Sequence, residues 1–399
     1  MKRFVSMVSS IWKLSENLEW SDIMVNKERM VNEFIELVKI DSLTRQERQM
    51  ADALKKKLED MGIDVYEDGA GEKIGGNAGN LICTIKGNKD VPAILLMAHM
   101  DTVTPGIGKE PVIDGDIIRT NGKTILGGDD LAGVACILEA VKVLKENQIP
   151  HGDIQVVFTI AEECGLFGAK NLDYEKINAK YGFVLDEGGE IGSVAVKAPS
   201  QNKIEVIVKG KAAHAGVEPE KGISAIQIAA YAISKMKLGR IDDETTANIG
   251  IISGGTATNI ICDTVKIEAE SRSRNPEKLE EQTQHMKKCF EDAAALFGGS
   301  VEFISNLIYP AFEIDETGSE LPKILKKASE KAGVDLQLIS TGGGSDTNIL
   351  NGKGIEAVNV SVGMSKVHSV DEEIRISDIE KAAGFLVEII RTVAETGCA

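Results

Sequence analysis

The chain has 399 residues, of which 43% are apolar and 4% aromatic, and its 40 glycines suit two α/β domains rich in tight turns. Its formal net charge of −17 argues against nucleic acid and anionic membranes as partners, because both require a basic surface. The six cysteines have no regular spacing, which favours a reducing, cytoplasmic setting over a disulfide-stabilised secreted fold.

Residues 1–23 are predicted to form an amino-terminal extension rather than a secretion signal. Serines interrupt their apolar stretch, no small-residue cleavage site follows, and Glu16, Glu19 and Asp22 come next. No run in the chain approaches the length of a transmembrane helix. The fold itself is expected to begin near Met24.

Three helices are predicted in the first part of the fold. Residues 30–38 place apolar side chains on one helical face, and a charged amphipathic helix follows at about residues 47–59. A third helix, residues 131–144, begins directly after Asp129 and Asp130.

Three apolar runs are predicted to be buried strands, at residues 93–98, 154–160 and 181–185. The first ends at His99, the second just before Glu162 and Glu163, and the third at Asp186. Open α/β sheets place their sites at the carboxyl ends of strands. These side chains are therefore expected to meet at one edge of a sheet.

From about residue 199 the pattern changes to that of a smaller α+β domain. Its predicted elements are strands near 203–209, 247–252, 264–270 and 301–304 and helices near 223–236 and 276–297. The Gly342–Asp346 loop and His368 must return to the first domain to complete its site. Residues 199–309 are therefore interpreted as an insertion between residues 24–198 and 310–399.

Five short segments supply the ligand types of a two-metal site: His-Met-Asp (99–101), Gly-Gly-Asp-Asp (127–130), Glu-Glu (162–163), Leu-Asp-Glu-Gly-Gly (185–189) and His-Ser-Val-Asp-Glu (368–372). Nitrogen and oxygen ligands without a dedicated thiolate indicate a hydrolytic zinc, cobalt or manganese centre. His99 is expected to bind one metal while Asp101 accepts its other ring N–H. Asp129 is placed to bridge both metals from a turn at a helix start. Asp186 would complete one site and His368 the other.

Two neighbouring carboxylates follow the second strand. On extended backbone Glu162 and Glu163 point to opposite sides, so one can bind metal while the other acts as general base. Cys164, the next residue, is interpreted as a packing thiol without a catalytic role. Asp130 has a simple alternative to a role in metal binding, because an acidic residue is favourable at a helix N-terminus.

Over nearly the whole chain from about Met24, these segments resemble the co-catalytic zinc peptidases of the family that contains peptidase T, carboxypeptidase G and succinyl-diaminopimelate desuccinylase, with the peptidase T-like members most similar. The resemblance implies an α/β catalytic domain with a mixed, mainly parallel sheet flanked by helices, plus an inserted α+β lid and dimerisation domain. It implies five metal ligands: His99, Asp129, Glu163, Asp186 and His368. Asp129 is then the bridge, Glu162 the general base, and Asp101 the residue that orients His99. Leu131 stands where the family often has lysine, a departure that leaves the ligand set intact.

The same resemblance assigns roles to residues of the inserted domain. The Ala-Ala-His-Ala-Gly segment resembles the family's lid, so His214 is expected to hold the carbonyl oxygen of a substrate in the partner subunit's site as it becomes an oxyanion. Asn259 and Arg272 match lid positions that bind the substrate backbone or carboxylate, a task suited to the planar fork of arginine. A surface ion pair is the plain alternative for Arg272.

The glycine-rich loop Gly342–Asp346 lacks the lysine of a phosphate-binding loop. It resembles the substrate-contact loop of these peptidases. Ser345 and Asp346 are therefore expected to bind substrate.

Three functions are compatible with these residues. The first is a metal-dependent exopeptidase for short peptides, in particular a tripeptide aminopeptidase. The second is a deacylase of N-acyl amino acids or a dipeptidase with the same chemistry. The third is a catalytically silent metal- or peptide-binding protein. It would not need Glu162 and Asp101, because neither residue binds metal in the arrangement proposed above. The expected cofactors are two divalent ions, zinc first and cobalt or manganese otherwise, and the expected assembly is a homodimer formed through the lid.

Overall fold

The computed structural model describes residues 25–397, so the extension predicted at residues 1–23 lies outside the described residues. The helices, in chain order, are α1 (Lys27–Val38), α2 (Arg48–Asp60), α3 (Ala70–Ile74), α4 (Gly128–Glu146), α5 (Phe167–Asn171), α6 (Ala225–Lys235), α7 (Pro276–Phe297), α8 (Leu321–Ala332), α9 (Asp346–Gly352) and α10 (Ile376–Thr396). None of these helices is long and apolar enough to cross a membrane.

The strands, in chain order, are β1 (Val65–Glu67), β2 (Leu81–Ile85), β3 (Ile94–His99), β4 (Pro111–Asp114), β5 (Ile117–Thr120), β6 (Ile154–Thr159), β7 (Tyr181–Gly188), β8 (Ser193–Ala198), β9 (Ser200–Lys209), β10 (Gly239–Arg240), β11 (Thr245–Gly254), β12 (Thr264–Ser273), β13 (Ser300–Tyr309), β14 (Phe312–Glu313), β15 (Gln337–Ser340), β16 (Glu356–Met364) and β17 (Glu373–Arg375). Each helix and strand predicted from the sequence is present, with ends that differ by a few residues.

The described chain forms two compact units. The first contains residues 25–196, 314–340 and 345–397, and the second contains residues 197–313 and 341–344. The insertion expected at residues 199–309 lies within the second unit. The first three glycines of the Gly342–Asp346 loop also belong to the second unit, although the sequence placed them in the first domain.

The main sheet of the first unit has parallel strands at its centre and antiparallel strands at its edges. Its order runs β1-β2-β6-β3-β7-β16-β8, in which the β6–β3, β3–β7 and β7–β16 pairs are parallel and the other pairs are antiparallel. Helix α4 packs against β3, β7 and β16, and α10 packs against α4, α8 and β16. The expected mixed, mainly parallel α/β sheet flanked by helices is confirmed.

Strand β7 differs from the prediction, because it continues past Leu185 and carries Asp186 within the strand. The reason is a pair of hydrogen bonds to the neighbouring strand β16. The N–H of Asp186 donates to Oδ1 of Asn359 at 3.0 Å, and Nδ2 of Asn359 donates back to the carbonyl of Asp186 at 2.9 Å. An asparagine side chain thus takes over backbone pairing at this point.

The second unit contains an antiparallel sheet with the order β10-β11-β12-β9-β13. Strand β9 alternates buried and less buried residues, and its buried face includes Ile204, Val206 and Val208. These side chains pack with residues of α6 and α7, such as Ala229 and Phe290, to form one core. The unit is therefore the α+β type that the alternating pattern predicted.

Candidate metal centre and active site

His99 is the last residue of β3, and its side chain is only 2% exposed. Its ring Nδ1–H donates to the backbone carbonyl of Asp101 at 2.9 Å, so Nε2 is the ring nitrogen that faces the neighbouring carboxylates. The carboxylate of Asp101, which is the acceptor expected from the sequence, lies farther away, with Oδ1 at 3.5 Å from Nδ1. The closer contact that orients the imidazole is therefore made by the backbone of Asp101.

Asp129 lies in the turn that precedes the regular part of α4. Gly127 has a φ of 77°, and Asp129 and Asp130 have non-helical backbone angles, so the regular helix starts at Leu131 as the sequence predicts. Oδ1 of Asp129 is 3.0 Å from Nε2 of His99, and Oδ2 is 3.2 Å from Nε2 of His368. One carboxylate therefore contacts both imidazoles.

Asp186 and Glu163 add one further carboxylate each to these two imidazoles. Oδ1 of Asp186 is 3.8 Å from Nε2 of His99, and Oε1 of Glu163 is 2.9 Å from Nε2 of His368. The potential ligand atoms form two groups in which all atoms lie within 4.8 Å of one another: His99, Asp129 and Asp186, and Asp129, Glu163 and His368. The five residues suggested by the resemblance are thus brought together, with Asp129 shared.

The site is strongly anionic. In the described part of the chain, the ion pairs of Asp129, Glu163 and Asp186 are all with the two histidines. Burial, followed by repulsion from Asp130 and Asp129, raises the pKa of Asp186 well above its usual value. Hydrogen bonds to Asp129 and Glu163 raise the pKa of His368 to about 10. A donor set of imidazoles and half-buried carboxylates, with no Lys or Arg paired to those carboxylates in the described residues, fits divalent cations.

Glu162 is buried beside this cluster, with 8% of its surface exposed. Its pKa is raised well above the usual value by burial, although the nearby His99 opposes this shift. The backbone N–H of Glu162 donates to Oδ1 of Asp101 at 2.9 Å, and that of Glu163 donates to Oδ2 at 3.3 Å. The hydroxyl of Thr44 also donates to Oδ2, at 2.7 Å. The carboxylate of Asp101 thus holds the backbone that carries both glutamates.

Glu47 supports the residue before this pair. Its Oε1 accepts the N–H groups of Ala161 at 3.1 Å and of Arg45 at 2.7 Å. Burial, then repulsion from Asp101, raises the pKa of Glu47 to about 7. The sequence placed Glu47 only at a helix start, and neither it nor Thr44 carried a signal for this contact.

Asp130 has two structural partners of its own. Its Oδ2 accepts the N–H of His99 at 3.1 Å, and its Oδ1 accepts that of Gly133 at 3.1 Å. Asp130 therefore acts as an acidic residue at a helix start, which is the simple alternative given from the sequence. It also joins α4 to the end of β3.

The two residues expected to bind substrate from the glycine-rich loop lie at the start of α9. Ser345 caps this helix, since its hydroxyl accepts the N–H of Thr347 at 3.3 Å. Asp346 is buried, and its Oδ2 accepts the hydroxyl of Thr159 at 2.6 Å while Oδ1 has no partner among residues 25–397. Burial raises the pKa of Asp346 to about 6. Ser345 therefore has a structural role as a helix cap, and Asp346 retains one oxygen for another group.

The three residues expected in the lid belong to the second unit. His214 and Asn259 are exposed and lie on adjoining segments, because the N–H of Ala215 donates to the carbonyl of Asn259 at 2.9 Å. Arg272 forms a bidentate ion pair with Glu270, in which both N···O distances are 3.0 Å. The ion pair that was the plain alternative for Arg272 is therefore present.

Two further residues lie close to candidate ligands in the chain. Cys164, interpreted from the sequence as a packing thiol without a catalytic role, is exposed. Glu372 is buried and accepts backbone N–H groups from residues 126–129. Glu372 is the last residue of the His-Ser-Val-Asp-Glu segment, which could have drawn attention to it. The sequence interpretation assigned a role only to His368 of that segment.

Comparison with known proteins gives a consistent family. Residues 95–392 match the model of peptidase family M20/M25/M40. The chain is 50% identical to the uncharacterized protein YqjE of Bacillus subtilis (strain 168), over 93% of this chain and 100% of that protein.

Two solved structures are also similar over 93% of this chain and 100% of theirs. They are the aminopeptidase PepT from Bacillus cereus ATCC 10987, with 50% identity and a TM-score of 0.86, and a tripeptidase from Staphylococcus aureus subsp. aureus Mu50, with 43% identity and a TM-score of 0.90. The predicted resemblance to peptidase T-like hydrolases is confirmed. The chain belongs to peptidase family M20/M25/M40, and it is a hydrolase of that family.

Proposed function

We propose that this protein is a metal-dependent aminopeptidase that releases the first residue of tripeptides. The observation that carries the proposal is the pair of ligand groups that share Asp129, with the buried carboxyl of Glu162 beside them. The names of the two similar solved structures, an aminopeptidase and a tripeptidase, support this substrate class within the family.

Two divalent metal ions fit the donor set. His99, Asp129 and Asp186 would hold one ion, and Asp129, Glu163 and His368 would hold the other. Imidazole and carboxylate donors suit Zn²⁺ and also accept Co²⁺ or Mn²⁺. When bound, such a pair of ions acidifies water and polarises a peptide carbonyl.

Glu162 is the general base of the proposed reaction. Its buried carboxylate would take a proton from the attacking water and deliver it to the leaving amine. Asp101 and Glu47 hold the backbone on either side of Glu162 through hydrogen bonds from residues 161–163. Because the backbone is fixed in this way, little conformational entropy is lost when the carboxyl group reaches its catalytic position.

The second unit would supply the remaining contacts. His214 would reach the partner subunit's site and donate a hydrogen bond to the carbonyl oxygen as negative charge develops there, and Asn259 would bind the peptide backbone. Arg272 would bind a substrate carboxylate in place of, or together with, Glu270. These roles, a homodimer formed through the lid, and a cytoplasmic setting rest on the family resemblance and on the scattered thiols.

The free oxygen of Asp346 is a candidate for recognising the amino end of the substrate. Oδ1 is buried and has no hydrogen-bond partner in the part of the chain that the structure describes, and a carboxylate attracts an ammonium group. Ser345 would contribute through its position next to Asp346, since its hydroxyl already caps α9.

A small substrate panel tests the proposal. The metal-loaded and the chelator-treated protein are each assayed with a tripeptide, a dipeptide and an N-acetyl amino acid. We expect chelator-sensitive release of the first residue of the tripeptide. Cleavage of only the N-acetyl amino acid would assign the protein to the deacylases. No turnover by protein with two metals bound would identify a silent binding protein.

A further inference from the structure

Glu372 binds three backbone N–H groups of the turn that presents Asp129. Oε2 of Glu372 accepts the N–H groups of Leu126 and Gly127, both at 2.8 Å, and Oε1 accepts that of Asp129 at 3.1 Å. The side chain of Glu372 is 1% exposed. The carboxylate of Glu372 therefore accepts three hydrogen bonds from this one turn.

The two glycines of the Gly-Gly-Asp-Asp segment make this approach possible. Gly127 has a φ of 77°, a backbone conformation that side chains other than glycine rarely adopt. A Cβ atom added to Gly128 would lie 3.2 Å from Oε1 of Glu372, closer than ordinary van der Waals contact. The glycine pair therefore leaves room for the carboxylate of Glu372, which follows the pair by more than 240 residues in the chain.

A buried cation lies behind the same turn. Lys109 is 4% exposed, and its ammonium group donates to the carbonyls of Ile40 and Gly106, both at 3.2 Å. Its charge interacts with that of Glu372, as well as with that of Asp41. Burial raises the pKa of Glu372, and the hydrogen bonds from the three N–H donors act against that shift.

Glu372 also belongs to the loop that carries His368. Its own N–H donates to the carbonyl of Ser369 at 3.2 Å, which closes a turn directly after His368. The chain from 368 to 372 therefore contributes His368 to one ligand group and, through the carboxylate of Glu372, fixes Asp129, which belongs to both groups.

We infer that Glu372 is a positioning residue that sets the orientation of Asp129 and thereby the affinity of both metal positions. This inference rests on the metal centre in the proposed function, but not on the identity of the peptide substrate. It predicts a specific pattern, because losing the Glu372 contacts affects both positions, whereas losing His368 affects only one.

Glu372→Gln is the sharpest variant, because it keeps the shape and removes the charge. Whichever way the new amide is turned, its NH₂ group faces an N–H donor, either that of Asp129 or those of Leu126 and Gly127. Zn²⁺ is titrated calorimetrically into the chelator-treated, full-length protein. Wild type is expected to show two binding steps, and Glu372→Gln is expected to weaken both by roughly 10–100-fold. His368→Ala is expected to weaken one step only.

Asp68→Asn provides a matched control. Asp68 is also buried and accepts three backbone N–H groups, from Ala70, Asn80 and Asp173, but it contacts none of the five ligands. We expect it to lower the unfolding midpoint while both Zn²⁺ affinities stay at the wild-type value. An Asp68→Asn variant that lost Zn²⁺ affinity as strongly as Glu372→Gln would overturn the inference, since any loosened loop would then have the same effect.

A second variant covers the case in which Glu372→Gln does not fold. Gly128→Ala keeps the carboxylate but crowds Oε1, so we expect both Zn²⁺ steps to weaken several-fold. Wild-type affinity in both folded variants, or weakening of a single step, would contradict the inference. If wild type binds two Zn²⁺ ions but cleaves no peptide, the proposed function fails while the role of Glu372 is still decided by these titrations.

Discussion

Oδ1 of Asp101 accepts the backbone N–H of Glu162 at 2.9 Å, so two residues with different expected roles are directly joined. The sequence connects Asp101 to His99, which lies two positions earlier. In the structure, the backbone of Asp101 contacts His99, and its carboxylate holds the chain at Glu162 and Glu163. Asp101 therefore links a candidate metal ligand to the proposed general base.

Asp101→Asn is expected to lower kcat by roughly 10–100-fold while the change in KM stays small. An amide in this position presents an NH₂ group to at least one of the N–H or O–H donors that the carboxylate now accepts. The measurement is steady-state kinetics on a tripeptide, together with the metal content of the purified variant. Thr44→Val, which removes a single donor to the same carboxylate, serves as a milder comparison. Unchanged kcat in fully metal-loaded Asp101→Asn would refute the role of this carboxylate.

Substitution of the two adjacent glutamates is expected to separate metal binding from proton transfer. Glu162→Ala should retain both metal ions and lose turnover by roughly 10²–10⁴-fold, the usual contribution of a general base. Glu163→Ala should lose one metal ion because it removes a member of the group with Asp129 and His368. Metal analysis and kinetics on the two variants provide the comparison. An active, metal-loaded Glu162→Ala protein would remove the assignment of Glu162.

Gly133→Ala is expected to destabilise the protein by about 1–3 kcal/mol, although alanine is normally the better residue in a helix. A Cβ atom at Gly133 would lie 2.3 Å from the carbonyl oxygen of Leu185 and 2.4 Å from Oδ1 of Asp130. Urea unfolding of the variant gives the change in the free energy of unfolding. Gly69→Ala is a suitable control, because no described residue other than its chain neighbours lies within 4 Å of a Cβ atom there.

Lys109 is expected to give the unfolding free energy a measurable dependence on pH. Burial lowers the pKa of Lys109 to about 8, below its ordinary value of 10.5. Between these values the unfolded chain binds more protons at this position than the folded chain, so the contribution of Lys109 to stability rises with pH. Below about pH 8 the residue is charged in both states and its burial is most costly. The difference in unfolding free energy between wild type and Lys109→Met should therefore shift in favour of wild type from pH 8 to pH 10, and a constant difference would contradict the low pKa.

Removal of the metal ions is expected to lower the thermal unfolding midpoint. Ions that bind only the folded state stabilise it by mass action, by about 2.7 kcal/mol at a free concentration of one hundred times Kd. Calorimetry before and after chelation, followed by addition of Zn²⁺, measures this effect. The Glu163→Ala variant should show a smaller shift because it retains one group of ligands.

The positions of the candidate ligands could be predicted because each lies next to a recognisable local sequence pattern. His99 comes directly after a fully buried run, and Asp129 precedes a helix with a regular apolar period. Such patterns depend on neighbouring residues in the chain, and the family resemblance then assigned roles among them. The sharing of Asp129 between two groups agrees with that assignment.

The contacts of Glu47, Glu372 and the carboxylate of Asp101 could not be predicted in the same way. Each accepts N–H groups of distant backbone, and the partners of Glu372 precede it by more than 240 residues. Any residue except proline offers a backbone N–H, so these partners leave no trace in residue type or spacing. The extension of β7 through Asp186 likewise depends on Asn359, which belongs to a strand far along the chain.

The pairing of Phe312 with Ala198 and of Glu313 with Lys197 has an evolutionary consequence. The chain enters and leaves the second unit on neighbouring strands, which in a sheet are about 4.8 Å apart. A gap of that size can be closed by a two-residue hairpin, so the residues in between can be shortened, lengthened or exchanged for another module at small entropic cost. All five candidate ligand residues lie outside that interval. Proteins built on one hydrolytic scaffold can therefore differ throughout this module while the five candidate metal ligands remain the same.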